Sequence, residues 1–346
     1  MNVKAICLWL LWSLPAWSQG FAGLGTDVTG FDVPERGVAL EFPGDHLAHP
    51  KYRIEWWYLT ANLTGDDGRP YGVQWTLFRS ALTPDSAGGW SSPQLWMGHA
   101  GVTTQNRHFA TERLARGGIG QAGVTGPPFH AFIDEWSMLA QDESLDQLSL
   151  RAGASDFSYD LDLTAQGPLV THGDAGFSVK SPQGQASYYY SQPFYEVTGI
   201  LSLPTGEVSV QGQGWLDREW SSQPLSQDQT GWDWFSLSFD DGNKLMAFRL
   251  RGSQDFTSGT WIAPDGTASP LQPGAIRPTA LKTAQVNGRD IPVRWRLELP
   301  SRDVDVEIEA VNSNAWMDTT IPYWEGPVRV KGSHQGLGYL EMTGYD

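Results

Sequence analysis

Residues 45–79, DHLAHPKYRIEWWYLTANLTGDDGRPYGVQWTLFR, contain two strands and the turn between them. From Glu55 the chain alternates. Glu55, Trp57, Leu59, Ala61 and Leu63 fall on one side, and Trp56, Tyr58, Thr60, Asn62 and Thr64 on the other, the period of two that defines a strand. Asp67-Gly68 supplies residues that tolerate positive φ in a hairpin turn, and the return strand runs through Tyr71, Val73, Trp75 and Leu77 to Arg79. An acid directly before two tryptophans at the mouth of an aromatic strand marks Glu55 as a candidate acid, with Trp56, Trp57 and Tyr58 as candidate ligand contacts.

The device recurs. Residues 231–251, GWDWFSLSFDDGNKLMAFRLR, again run acid, Trp, aromatic (Asp233, Trp234, Phe235), alternate to Asp241-Gly242, and return as an apolar strand carrying Phe248 and Arg249. Agreement in order and turn chemistry reads as an internal repeat, so the chain divides into two similar halves.

The 346 residues include 17 Trp, 39 Gly and 22 Pro, a composition of many short strands and tight turns. A formal charge of -16 and a pI near 4.7 argue against nucleic acid or an anionic membrane as partner, since both need a basic face. At the N-terminus, Lys4 precedes an apolar run from Ala5 to Leu14, and Pro15-Ala16-Trp17-Ser18 places small residues before a cleavage point at Gln19. Residues 1–18 read as a secretory leader, residues 19–190 as an N-terminal barrel and residues 191–346 as a C-terminal barrel. The expectation is a soluble exported protein, periplasmic or secreted. Cys7, the sole cysteine, lies within the leader, so the mature chain would carry no thiol.

Between these landmarks the sequence predicts a short helix over 109–116, a loop around Gly120 and Gly123, and a single strand over 129–140 centred on Asp134, Glu135 and Trp136. Residues 168–185, rich in Gly and Ser, read as a surface connection. Tyr188, Tyr189 and Tyr190 put rings on both sides of a strand, and Pro193 confines that strand to an edge or a bend. Val304, Val306 and Ile308 alternate with acids and predict a strand with one wet face. Helix signals are scarce, and two antiparallel barrels or sandwiches are the economical fold.

The second informative stretch is 212–234, GQGWLDREWSSQPLSQDQTGWDW. Trp215, Asp217 and Glu219 share one strand face; Leu216, Arg218 and Trp220 share the other. If that strand lines a barrel, desolvation raises the pKa of Asp217 and keeps it able to donate a proton. Asp233 and Glu55 are second acids beside a similar aromatic wall. The competing reading is structural: Asp217-Arg218-Glu219 as a salt-bridge cluster, and the tryptophans as core. His46 and His49 beside Asp45 have partial zinc spacing, but two histidines near a turn serve equally as turn hydrogen-bond partners. Ser91, Ser92, Ser221 and Ser222 lack the Gly-x-Ser-x-Gly setting of a serine hydrolase. The glycines sit in hairpins rather than before helices, so nothing cradles a phosphate, and no cofactor is called for.

Residues 45–79, the run GQGWLDREWSSQPL with GWDWFSLSFDDGNKLMAFRLR, and the closing YWEGPVRV and GLGYLEMTGY together resemble exported double-lipocalin proteins grouped with carotenoid 1,2-hydratase. These are also described as AttH-like or predicted secreted hydrolases. The resemblance spans nearly the whole mature chain and implies two lipocalin-like, calycin-type antiparallel β-barrels packed together, an all-β fold. In the hydratase branch, water adds across the terminal double bond of an acyclic carotenoid. By motif match Asp217 is the position for the acid, with Trp215, Trp232 and Trp234 as aromatic neighbours; Tyr189 and Trp220 are further candidate ligand contacts. The other branch implies service to an ABC-type exporter of lipoproteins or lipids. Two readings stay open: a module that binds a small apolar or amphipathic ligand such as a lipid or isoprenoid, and a lyase, hydratase or hydrolase that uses a buried Asp as general acid.

Overall fold

The computed structural model describes residues 29–84, 88–223, 225–226 and 228–345. The leader expected over residues 1–18, with Cys7, lies outside the described residues. No helix among the described residues is long and apolar enough to cross a membrane.

The first sheet opens with the predicted hairpin, β1 (Ile54–Gly65) and β2 (Pro70–Ala81), and continues through β3 (Gln94–Thr103) and β4 (His108–Arg116). A meander follows: β5 (Ala122–Thr125), β6 (His130–Ile133), β7 (Trp136–Ala140), β8 (Gln147–Gly153) and β9 (Ser158–Ala165). Short β10 (Val170–Thr171) and β11 (Phe177–Val179) lead into the long pair β12 (Ala186–Leu203) and β13 (Gly206–Ser221). The order β4-β3-β2-β1-β13-β12-β9-β8-β7-β6-β5 curls into a nearly closed barrel.

The second sheet holds β14 (Gly231–Phe239), β15 (Lys244–Arg251), β16 (Phe256–Ile262) and β17 (Ala268–Leu271). It continues with β18 (Arg277–Val286), β19 (Arg289–Leu299) and β20 (Val304–Ala310), then β21 (Trp316–Met317), β22 (Tyr323–Gly332) and β23 (Gly336–Thr343). Its order β17-β16-β15-β14-β23-β22-β20-β19-β18 forms a half-barrel. All pairings in both sheets are antiparallel, and the fold is the lipocalin-like double barrel.

Alternation sets what each barrel buries. Trp57, Leu59, Ala61 and Leu63 point into the first core with Trp75 and Trp136; Phe235, Leu237, Trp295 and Trp324 fill the second. Both interiors are packed with side chains, as small barrels are. A third cluster, including Tyr58, Tyr189, Trp215, Trp234, Phe248 and Tyr339, comes from the outer faces and joins the barrels.

Four local expectations are corrected. Residues 108–116 form β4, not a helix: pairing with β3 over Leu95–Thr103 fixes an extended chain and overrides a weak helical spacing. Gly123 belongs to β5 and pairs with Phe132 instead of lying in a loop. The single strand expected over 129–140 is a hairpin, because Asp134 adopts φ 51 and turns the chain between β6 and β7. The presumed surface connection 168–185 buries Val170, His172, Phe177 and Lys180. Pro193 sits where the β12–β13 register shifts between Gln192 and Tyr195, the bend its missing N–H demands. Tyr190 lies within β12, the first sheet keeps the chain until Ser221, and the second sheet opens at Gly231.

Candidate functional site

The outward faces of the two sheets carry side chains in cross-strand rows. On the first sheet one row runs Asp217, Tyr58, Thr76, His99, Glu112, and the next runs Glu219, Trp56, Phe78, Met97, Leu114. The second sheet answers with Glu325, Glu341, Trp234, Phe248. Between the rows lies a cavity of about 160 Å³, walled by Trp56, Phe78, Trp232, Trp234 and Phe248 and reached by Asp217, Glu219 and Glu341. The site therefore sits between the barrels and not inside either one.

Asp217 is 2% exposed. Its Oδ2 accepts the Tyr189 hydroxyl at 2.5 Å, and its Oδ1 accepts the Trp215 indole N–H at 2.6 Å and the Ser191 hydroxyl. Burial outweighs these donors and pushes its pKa up to about 7. Ser191 also meets His172 Nε2 at 2.6 Å, and His172 Nδ1 lies 2.9 Å from Thr260 Oγ1, so the network reaches the second barrel. His172 is held neutral by burial, with the Lys180 ammonium adding to the effect, and its pKa falls to about 3.

Glu341 is enclosed by protein but keeps a partly accessible side chain, because the surface it exposes is cavity wall rather than exterior. Its Oε1 accepts the Trp232 indole N–H at 2.5 Å. Desolvation pushes its pKa up to about 7, with Asp217 and Glu219 contributing like-charge repulsion. Glu325, opposite it on β22, is wholly buried and raised well above the usual range by desolvation and then by Glu341. It accepts the Tyr58 hydroxyl on Oε1. Glu219 is matched instead by Lys180, whose Nζ lies 2.7 Å away and 4.2 Å from the Phe248 ring centroid.

Of the residues singled out from sequence, Asp217, Trp56, Tyr58, Tyr189, Trp232 and Trp234 converge on this cavity. Trp215 stands behind Asp217 as its hydrogen-bond donor. Trp57 is packed in the first barrel under the Arg218 guanidinium, 3.9 Å from its ring centroid. Trp220 joins a separate cluster and stacks on His49 at 4.1 Å. Glu55 borders the cavity, but its carboxylate is committed to Arg79 and to Arg218, 2.6 Å away, and accepts the His49 backbone N–H at 2.8 Å. Although burial acts the other way, the two guanidiniums hold it far below the usual carboxylate range, so it is no proton donor. Asp233 occupies the matching mouth of the second barrel, between Arg249 at 3.6 Å, Arg251 at 3.5 Å and the Tyr345 hydroxyl at 2.8 Å. Burial still lifts it to about 6, yet it lies off the cavity wall. His46 Nδ1 meets the Tyr190 hydroxyl at 2.7 Å, and His49 spans Asp45 and Glu55.

Sequence reasoning missed Glu341, Glu325, Lys180 and Tyr323, and read His99 only as a satisfied polar residue in a strand, which it is. The two glutamates stood within the closing stretches YWEGPVRV and GLGYLEMTGY, where period-two alternation separates Glu341 from inward Leu340 and Met342. Lys180 and His99 carried no local signal, since their role comes from the other barrel.

Two packed lipocalin-like barrels with a ring-lined, carboxyl-bearing cleft between them define a double-lipocalin protein. The chain belongs to the AttH-like family, whose model matches residues 33–345. A candidate AttH of Nitrosomonas europaea, solved by crystallography at 2.00 Å, is similar at 32% identity over 91% of this chain and 100% of its own, with a TM-score of 0.81. Kievitone hydratase of Nectria haematococca shares the fold at 14% identity over 91% of this chain and 98% of its own, with a TM-score of 0.67. No curated protein matches the chain.

Proposed function

We propose that the cleft binds an apolar or amphipathic small molecule and adds water across one of its carbon–carbon double bonds, with Glu341 as the proton donor. The observation that carries this reading is the convergence of Glu341 and Asp217 on one aromatic cavity, where burial pushes the pKa of each up to about 7. A carboxyl poised there can both give and hold a proton. Glu341 is preferred over Asp217 because it keeps surface toward the cavity, whereas both Asp217 oxygens already accept donors. Protonation of the alkene leaves a carbocation, which the faces of Trp56, Trp232 and Trp234 would stabilise through their quadrupoles. That a neighbour in fold is a hydratase is consistent with this chemistry.

The test incubates the full chain with a panel of apolar alkenes in ¹⁸O-water and reads the products by mass spectrometry. Incorporation that falls by about 10²-fold or more in Glu341→Gln supports the assignment. Turnover undiminished in that variant overturns it. A second reading, binding without turnover, is favoured by the saturation of Asp217 with donors. It predicts quenching of tryptophan fluorescence by an isoprenoid or fatty acid that is recovered unchanged.

A further inference from the structure

Tyr323 and His99 face the cavity from opposite barrels and touch each other. The Tyr323 hydroxyl lies 2.9 Å from His99 Nδ1, with the rings stacked at 5.5 Å between centroids and 25° between planes. On its far side, His99 Nε2 lies 3.1 Å from Glu112 Oε1. Glu112 is tied at 3.0 Å to the Thr320 backbone N–H and at 2.6 Å to the Thr320 hydroxyl. His99 is 1% exposed while the Glu112 side chain is 18% exposed, so three residues carry a continuous hydrogen-bonded line from cavity wall to solvent. Nothing in the ligand-binding role of the cleft requires it.

We propose that Tyr323, His99 and Glu112 form a proton relay in which Tyr323 takes the proton of the attacking water and Glu112 delivers one to solvent. This rests on the hydration reading above. In the step, Glu341 has given its proton to carbon, and a lone pair of water forms the C–O bond. The water O–H bond breaks, its proton goes to the Tyr323 oxygen, the Tyr323 proton goes to His99 Nδ1, and the Nε2 proton goes to Glu112. Glu112 then discharges to solvent, leaving His99 with its proton on Nδ1; the path resets when a solvent proton enters through Glu112 to Nε2 while Nδ1 returns its proton through Tyr323 to water in the emptied cleft, from which Glu341 is reprotonated, so one proton leaves and one enters per cycle. The surroundings suit each partner. His99 packs against the Phe78 ring at 5.3 Å, and burial holds its pKa below the usual imidazole value, so it enters as the neutral form. Glu112, with His99 and Thr320 donating to it, is held below its ordinary value, so it stands ionised at rest and passes on to solvent a proton it receives. Burial keeps Tyr323 a phenol, so the transfers are concerted rather than passing through a tyrosinate. Two other groups meet the Tyr323 hydroxyl: Glu325, which burial and Glu341 hold in its protonated form so that it is no base, and Gln74 Nε2, 3.4 Å from the oxygen and a donor only, so neither diverts the proton.

The relay requires one tautomer: His99 with its proton on Nε2 and a bare Nδ1. Long-range proton–nitrogen spectra of the full chain labelled with ¹⁵N-histidine, assigned with His99→Gln, read this directly. At neutral pH the expected result is the neutral Nε2–H form, with the Nδ1 resonance moving in Tyr323→Phe as its hydrogen bond is lost. An Nδ1–H tautomer, or an imidazolium, overturns the relay. Once an alkene is hydrated, His99→Gln and Glu112→Gln should lower kcat by about tenfold or more with KM unchanged; full rates in both variants overturn the relay while hydration stands. A chain that hydrates no alkene sinks the hydration reading alone, and the tautomer then decides whether the proton path exists.

Discussion

Glu55 and Glu325 are both glutamates with no exposed surface, and they illustrate opposite ways of being buried. Glu55 is ionised between two guanidiniums, so neutralising it leaves Arg79 and Arg218 facing an amide in the barrel mouth. Glu55→Gln should cost about 3–5 kcal/mol, the usual penalty for removing one partner from a buried ion pair. Glu325 pairs with no cation among the described residues, and burial followed by Glu341 raises its pKa well above the ordinary carboxylate value, which favours the uncharged acid, a group that hydrogen-bonds like an amide. Glu325→Gln should stay within about 1 kcal/mol of the wild type, because it swaps neutral groups of nearly the same shape. Urea denaturation at neutral pH measures both. Equal losses would mean that Glu325 is ionised in the folded chain.

At the scale of strands, the two hairpins were legible because alternation, the Asp-Gly turns and the acid placed before tryptophan all agreed. The repeat holds in detail: Glu55 stands opposite Arg79 as Asp233 stands opposite Arg249, and Trp56 opposite Phe78 as Trp234 opposite Phe248. The same logic failed over 108–116 and 129–140, where one backbone turn or one neighbouring strand outweighs any local pattern. The face of β13 bearing Asp217 could be read from period two, but not what covers it. Burial there comes from the second barrel, whose contact with the first is a long-range matter no window of sequence encodes. Gly72 marks how close that contact is. A Cβ at this position would lie 2.6 Å from Pro327 Cδ and 2.9 Å from the Tyr339 hydroxyl, so β2 meets β22 almost backbone to side chain. Gly72→Val should cost about 1–3 kcal/mol through overpacking, seen as a lowered urea midpoint. An unchanged midpoint would show that the barrels can part slightly without loss.

The whole molecule pays for its cleft in a way that depends on pH, because two carboxyls are held near neutrality by the apposition of the barrels. A carboxyl whose folded pKa is raised binds its proton more tightly folded than unfolded. Its favourable contribution is full below the unfolded value and is lost as pH rises through the folded one. Asp217 moves from an ordinary 3.8 to about 7, and Glu341 from 4.5 to about 7. Glu55 acts in the opposite sense: its contribution is present above its ordinary 4.5 and is lost as pH falls toward its depressed folded value. The wild-type profile mixes these trends, whereas a comparison with a variant isolates one. In Asp217→Asn with Glu341→Gln neither site titrates, so stability relative to wild type should climb across the window from about 4 to about 7, on the order of 1.4 kcal/mol per pH unit per group. Outside the window the two profiles should run parallel. Urea denaturation in steps of pH measures the gap. A gap that is flat throughout would mean that the cleft admits enough water to solvate both carboxylates, and that its walls are not the dry, ring-lined surface on which the proposed hydration depends.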